Sequence, residues 1–195
     1  MNFEKLIQDL LEKNWSLNYH FLSGEDCKNL INEFNPEMFS KAKVGQGQNR
    51  IFRPEIRSDS IACITDENAT HHQVAYLHKM SELQAALNRE LFLNLKMFEC
   101  HMAIYNKGEH YSKHTDQFKG NNSRTVTAIT YLNTPESGGE LVIYNKQQPD
   151  KIDAIVKPEA GLMVCFLSDQ LYHEVKINEF ERYSLTGWFK NTIDI

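Results

Sequence analysis

The sequence predicts a mainly β fold with supporting helices, a sandwich or jelly roll formed by a single domain over residues 1–195. After residue 96 the chain breaks into short segments rich in β-branched and aromatic residues, separated by turn formers. Before residue 96, apolar residues recur mostly at helical spacing. No repeat, low-complexity tract or linker divides the chain, and 195 residues are enough to bury one full core. Residues 1–95 are therefore expected to supply helices and early strands, and residues 96–190 the β core.

Phe3, Leu6, Ile7, Leu10 and Leu11 share one side of an opening amphipathic helix. "SGEDCKNLINEF" predicts a second helix, with Ser23 as N-cap and Leu30, Ile31 and Phe34 facing inward. Asn35-Pro36 ends it, because the residue before proline disfavours the helical region. "KVGQGQN" is a glycine-bearing loop, and "EIRSDSIACI" is a strand. Residues 71–93 carry the longest helical pattern, with Val74, Leu77, Leu83, Leu87 and Leu91 along one side. "FECHMAIY", "RTVTAITYLN", "ELVIY", "KIDAIV", "LMVCFL", "YHEV" and "YSLTGWF" then follow as strands. With helices first and strands later, the helices should back one face of a sheet.

Composition narrows the function. The chain is 41% hydrophobic and 24% charged, with a formal net charge of -5. A binder of phosphate backbones is ordinarily basic, so nucleic acid is disfavoured. Cys27, Cys63, Cys100 and Cys165 form no C-x-x-C pair, which favours a reducing, cytoplasmic setting. The first residues, "MNFEKLIQDLLEKN", interleave acids with apolar residues and do not read as a signal peptide. No apolar run is long enough to span a membrane.

The chemistry starts in "HYSKHTDQF", residues 110–118. Residues i and i+2 of a strand point the same way, so His114 and Asp116 would present an imidazole and a carboxylate to one point. Alone, this spacing also fits a solvated strand end. His173, between apolar neighbours on a later strand, offers the third donor; His110 is a weaker candidate. Two histidines and one carboxylate suit non-haem Fe(II), with positions left open for substrate and oxygen. Zinc takes the same donors. Arg182 follows His173 by nine residues, and a hairpin at "KINEFE" would set the two strands side by side. Arg182, Ser184, Thr186 and Trp188 share one strand face, where a guanidinium could hold a carboxylate by paired hydrogen bonds.

The ordered pattern is Tyr105, His114-x-Asp116, Arg124-x-Val-Thr, Tyr131-Leu-Asn, Gly138-Gly139-Glu-Leu, His173-Glu-Val and Arg182-x-Ser. It closely resembles the 2-oxoglutarate- and Fe(II)-dependent prolyl hydroxylases, nearest the HIF-type enzymes and their bacterial relatives, over roughly residues 44–190. "EIRSDSI" is similar to a strand that this branch carries before its core. The resemblance implies a double-stranded β-helix. It implies His114, Asp116 and His173 as iron ligands, and Arg182, Tyr105, Tyr131 and Thr186 as the 2-oxoglutarate site. Arg124 and Asp59 match a pair that ties an early loop to the core. Fe(II), 2-oxoglutarate and O2 are the implied cofactor and co-substrates, with ascorbate a candidate reductant. The implied partner is a protein bearing a target proline, such as elongation factor Tu; the alternative is a free amino acid or another small molecule. Nucleic-acid demethylation and a catalytically dead binding module fit less well, given the acidic charge and the complete donor set. Two departures stand out. The Tyr105–His114 loop is one residue short, and "KVGQGQNRIFRP" does not match the animal enzymes. No zinc-binding accessory domain precedes the core, which is expected of a bacterial or minimal enzyme.

Overall fold

The computed structural model describes residues 2–45, 50–117 and 122–193. Helix α1, Glu4–Lys13, buries Leu6 and Leu10 but leaves Leu11 exposed. Helix α2, Gly24–Asn32, begins with a capping box: the Ser23 hydroxyl accepts from the Asp26 amide at 3.0 Å, and the Asp26 carboxylate accepts from the Ser23 amide at 3.2 Å. It ends three residues before the expected stop, because Asn35 and Pro36 open a separate short turn, Pro36–Met38. Helix α3, His71–Leu91, buries Gln73, Tyr76, Met80, Leu83 and Leu87, a regular three-four stripe. Val74 lies off that stripe and is exposed.

The strands are β1 Trp15–Asn18, β2 Ser40–Lys41, β3 Ser60–Ile64, β4 Met97–Tyr105, β5 Tyr111–His114, β6 Arg124–Tyr131, β7 Leu141–Asn145, β8 Ile152–Val156, β9 Met163–Leu167, β10 Leu171–Val175 and β11 Arg182–Lys190. They form two antiparallel sheets of the jelly-roll type. The major sheet has seven strands in the order β1-β9-β6-β11-β4-β3-β2, and the minor sheet has four in the order β5-β10-β7-β8. Between them lies a core that includes Ile129, Val164 and Phe166 from one sheet and Leu141, Ile143 and Leu171 from the other. The three helices cover the opposite face of the major sheet, where Met80, Leu83 and Leu87 meet Met102, Val126, Leu185 and Phe189. No helix among the described residues is long and apolar enough to cross a membrane.

Three expectations change. The strand expected over 55–64 is only Ser60–Ile64, because the Ile56 and Arg57 amides turn back to the Arg53 carbonyl. Trp15–Asn18, to which the sequence assigns no element, pairs with β9 at the sheet edge. β10 and β11 lie in different sheets, so residues 176–181 form a crossover and not the expected hairpin. Lys176, Asn178 and Gly139 hold the crossover through backbone bonds to Glu140, Glu109 and Ile177. Of the expected "KVGQGQN" loop, residues 46–49 lie outside the described residues, as does Phe118.

Pairing of β11 with β4 and β6 sets out the inner wall. Arg182 stands opposite Tyr105, Ser184 opposite Tyr131, Thr186 opposite both His101 and Ile129, and Trp188 opposite both Glu99 and Thr127. Because side chains alternate across a strand, all of these face the minor sheet.

Candidate metal and co-substrate site

His114 closes β5, and His173 stands directly opposite it on β10. Their rings lie 4.2 Å apart, centre to centre. Asp116 lies two residues past the strand end, where the Thr115 hydroxyl donates to the Gln117 carbonyl at 3.0 Å. One donor atom from each of His114, Asp116 and His173 falls within 4.8 Å of the others. His114 Nε2 is 3.7 Å from Asp116 Oδ1, and His173 Nε2 is 3.6 Å from Asp116 Oδ2. Both are too long for hydrogen bonds. They are nonetheless compatible with ligation, since two atoms each about 2.1 Å from one ion can be up to about 4.2 Å apart.

The surroundings favour ligation as well. His114 Nδ1 is 2.7 Å from the Ser112 carbonyl, which can only accept, so Nδ1 donates there and Nε2 is the ring nitrogen turned toward Asp116. The Thr127 hydroxyl donates to Asp116 Oδ2 at 2.7 Å and lies 2.8 Å from the Ser168 hydroxyl. Burial alone would raise the Asp116 carboxyl, yet the His173 and His114 imidazoles and the Thr127 hydroxyl hold it well below the usual carboxylate range. Burial, with the neighbouring His114, pushes His173 down to about 3 against the opposing pull of Asp116, in the direction of the neutral imidazole that a ligand needs. Phe166 packs against that ring at 4.8 Å. His110 is not in the cluster; its Nε2 faces the Glu55 carbonyl at 3.3 Å.

Arg182 is 2% exposed, and no described carboxylate pairs with it. Its Nη1 donates to the Gly139 carbonyl at 3.0 Å. Its guanidinium lies 4.1 Å over the Tyr105 ring and 5.4 Å from that of Tyr131. Arg182 Nε, Tyr131 Oη and Ser184 Oγ are buried without a hydrogen-bond partner. A buried cation with no anion is costly, and three idle polar groups beside it add to that cost. A ligand carboxylate would satisfy all of them. Thr186 is the next residue of the inner row, half-buried, on the way toward the triad.

A cavity of about 270 Å³ reaches Asp116 from outside, with His101, Tyr111, Trp188, Arg57 and Arg124 in its walls. Tyr111 stacks on His114 at 3.6 Å and lies beneath the Arg57 guanidinium at 4.7 Å. His101 Nε2 is buried without a partner. Burial, then the Arg57 cation, push this imidazole down to about 3. Sequence reasoning gave no role to Tyr111 or His101. The period-two pattern of "FECHMAIY" places His101 on the same face as Tyr105, a signal that was there to be used.

The expected Asp59–Arg124 pair does not form. Asp59 accepts from Arg57 Nε at 2.6 Å and from Arg57 Nη2 at 2.8 Å. Arg124 bonds Glu99 at 2.9 and 2.5 Å and stacks on Trp188 at 3.6 Å. Arg57 lies two residues before Asp59, and Glu99 is adjacent to Trp188 across the sheet, so each arginine takes the nearer carboxylate.

A model of the 2OG-Fe(II) oxygenase superfamily matches residues 100–190. The chain is 33% identical over 89 residues to a PKHD-type hydroxylase of Prochlorococcus marinus (strain NATL2A), covering 44% of this chain and 38% of that protein. It spans about two fifths of the length of the curated relatives it matches. Among solved structures, a Pseudomonas putida prolyl-4-hydroxylase superposes with a TM-score of 0.84 at 34% identity, covering 96% of this chain and 98% of that one. A Trichoplax adhaerens prolyl hydroxylase, solved with a hypoxia inducible factor peptide fragment, superposes with a TM-score of 0.79 at 25% identity, covering 96% and 88%.

Two measurements check the electrostatics. In double-mutant cycles, Asp59→Asn should couple to Arg57→Gln by about 1–3 kcal/mol, and to Arg124→Gln by less than about 0.5 kcal/mol; the reverse order would restore the Asp59–Arg124 pair. His101 titrates near 6.5 when unfolded and near 3 when folded. Its contribution to stability is therefore complete above the higher value and is lost as pH falls toward the lower one. Urea unfolding between pH 7.5 and 5 should show about 2 kcal/mol less pH-induced loss in His101→Leu than in the parent. Equal losses would mean that the imidazole protonates in place.

Proposed function

This chain belongs to the 2OG-Fe(II) oxygenase superfamily, and we propose that it hydroxylates prolyl residues of a protein substrate, at C4, consuming 2-oxoglutarate and O2. The carrying observation is the pairing of a three-donor cluster with a buried, anion-free arginine on the facing sheet. Membership in this family implies Fe(II) as cofactor, with 2-oxoglutarate and O2 as co-substrates. When bound, Fe(II) with 2-oxoglutarate supplies O2 activation, one oxygen atom entering the substrate C–H bond and the other leaving in succinate as CO2 is released.

The chain's own groups do the rest. His114, Asp116 and His173 hold the metal through two neutral imidazoles and one carboxylate. Arg182, Tyr131 and Ser184 take the far carboxylate of 2-oxoglutarate, with Tyr105 as a platform under the guanidinium and Thr186 lining the way. Tyr111 and Trp188 wall the approach to Asp116 and exclude water from it. The open cavity supports an extended protein segment over a free amino acid. So do Ile51 and Phe52, which are exposed and follow the cavity-lining Arg50 in the chain, since a small molecule leaves them without a partner. A translation factor such as elongation factor Tu is the candidate substrate. Four unpaired cysteines are in keeping with a cytoplasmic setting.

Arg182→Lys should raise the KM for 2-oxoglutarate roughly tenfold or more, because an ammonium cannot reproduce the fork of donors; an unchanged KM would move the carboxylate elsewhere. Succinate release should be stimulated by intact elongation factor Tu or by proline-containing peptides, and not by free L-proline at matched concentration. Stimulation by free proline equal to that by the peptides would replace this reading with the small-molecule one.

A further inference from the structure

We propose that the mouth of the substrate cavity is a carboxylate-binding subsite, formed by Lys43 and Arg50, that selects target prolines flanked by acidic residues. This rests on the protein-substrate reading above and adds to it a chemical class of sequence.

Four cations line the cavity: Lys43, Arg50, Arg57 and Arg124. Two of them have carboxylate partners, Arg57 in Asp59 and Arg124 in Glu99. Lys43 and Arg50 are exposed and make no ion pair with a described residue. Of the two anions in the same lining, Glu99 is taken by Arg124, and Asp116 belongs to the donor cluster. The unmatched charge at the mouth is therefore positive, although the chain as a whole carries -5.

The stem that carries these cations is ordered. Val44 and Ile51 exchange both backbone bonds at 2.9 Å, so Lys43 and Arg50 flank a fixed bridge. A focused positive mouth on an acidic protein raises the local concentration of acidic chains and repels basic ones. The features at the mouth fit a protein segment and not a nucleic acid. Two free cations are a small footprint for a phosphate backbone, and the neighbouring Ile51 and Phe52 call for an apolar partner.

The test uses fluorescein-labelled peptides that share a central proline and differ in their flanks: Asp/Glu, Asn/Gln or Lys. Binding is read by anisotropy and hydroxylation by mass spectrometry, at low and high salt. Acidic flanks should tighten Kd roughly fivefold over neutral ones, and the advantage should shrink in 0.5 M salt. Lys43→Glu combined with Arg50→Glu should reverse the order toward the Lys-flanked peptide. Equal affinity for acidic and neutral flanks, or an acidic preference that survives the double substitution, overturns the proposal. So does tighter binding of a single-stranded RNA oligonucleotide of matched charge. An acidic preference in Kd without proline oxidation would sustain the subsite and remove the prolyl reading instead.

Discussion

The buried charge of Arg182 is the constraint around which this site is arranged. Removing a guanidinium from water costs several kcal/mol, and the protein offers no described carboxylate in return. It supplies a carbonyl, two aromatic faces and a tightly drawn corner. Gly139 adopts a left-handed φ of +70° there, and a Cβ on it would stand 2.2 Å from Asn178 Oδ1 and 3.4 Å from Arg182 Cδ. Asn178 is itself buried, and its side-chain amide donates to the Glu109 carbonyl at 2.8 Å. The corner thus ties the β10–β11 crossover to the loop before β5. The arginine is pressed into place before any anion arrives, which is the preorganisation that electrostatic binding needs.

The proposed metal donors hang from the minor sheet and its strand ends, while the proposed carboxylate site stands on the major sheet. A ligand reaching from one to the other needs the two sheets held in a fixed relation. The apolar layer of Ile129, Val164, Phe166, Ile143 and Leu171 provides most of that relation. Phe166 belongs to this layer and also packs on His173, so the core directly buttresses a donor. Thr127 adds a polar link, reaching from the major sheet to Asp116.

Much of this was legible in the sequence. Period-two alternation in "RYSLTGWF" put Arg182, Ser184, Thr186 and Trp188 on one face, and they lie on the inner wall. The H-x-D spacing brought His114 and Asp116 together, although Asp116 reaches the site from a turn instead of a strand. What failed to read depended on three-dimensional choice. "WSLN" alternates for only four residues, too few to stand out beside the opening helix, and its pairing with β9 is decided by the sheet edge left open beside it. The link from His173 to Arg182 is short enough for a hairpin, and only the two-sheet arrangement makes it a crossover. Asp59 had two arginines within reach by analogy, and the local one took it. On α3, Gln73 is buried because its amide finds the Met102 sulfur at 3.1 Å, so the true stripe begins on a polar residue and Val74 is left outside.

Charge balance joins the two halves of the site. On the proposed assignment, with two imidazole ligands and one carboxylate, the donor cluster contributes one negative charge, from Asp116. Arg182 contributes one positive charge. On the proposed assignment, a divalent cation alone leaves the buried region with an excess of two positive charges. A 2-oxoglutarate dianion alone leaves it with an excess of two negative charges. With both in place the charges of metal, co-substrate, Asp116 and Arg182 cancel. In a low-dielectric interior that cancellation favours joint occupancy over either partner alone. It also gives the unpaired arginine a physical rationale. A carboxylate supplied by the protein would have neutralised Arg182 permanently and left the co-substrate's far end with nothing to compensate it.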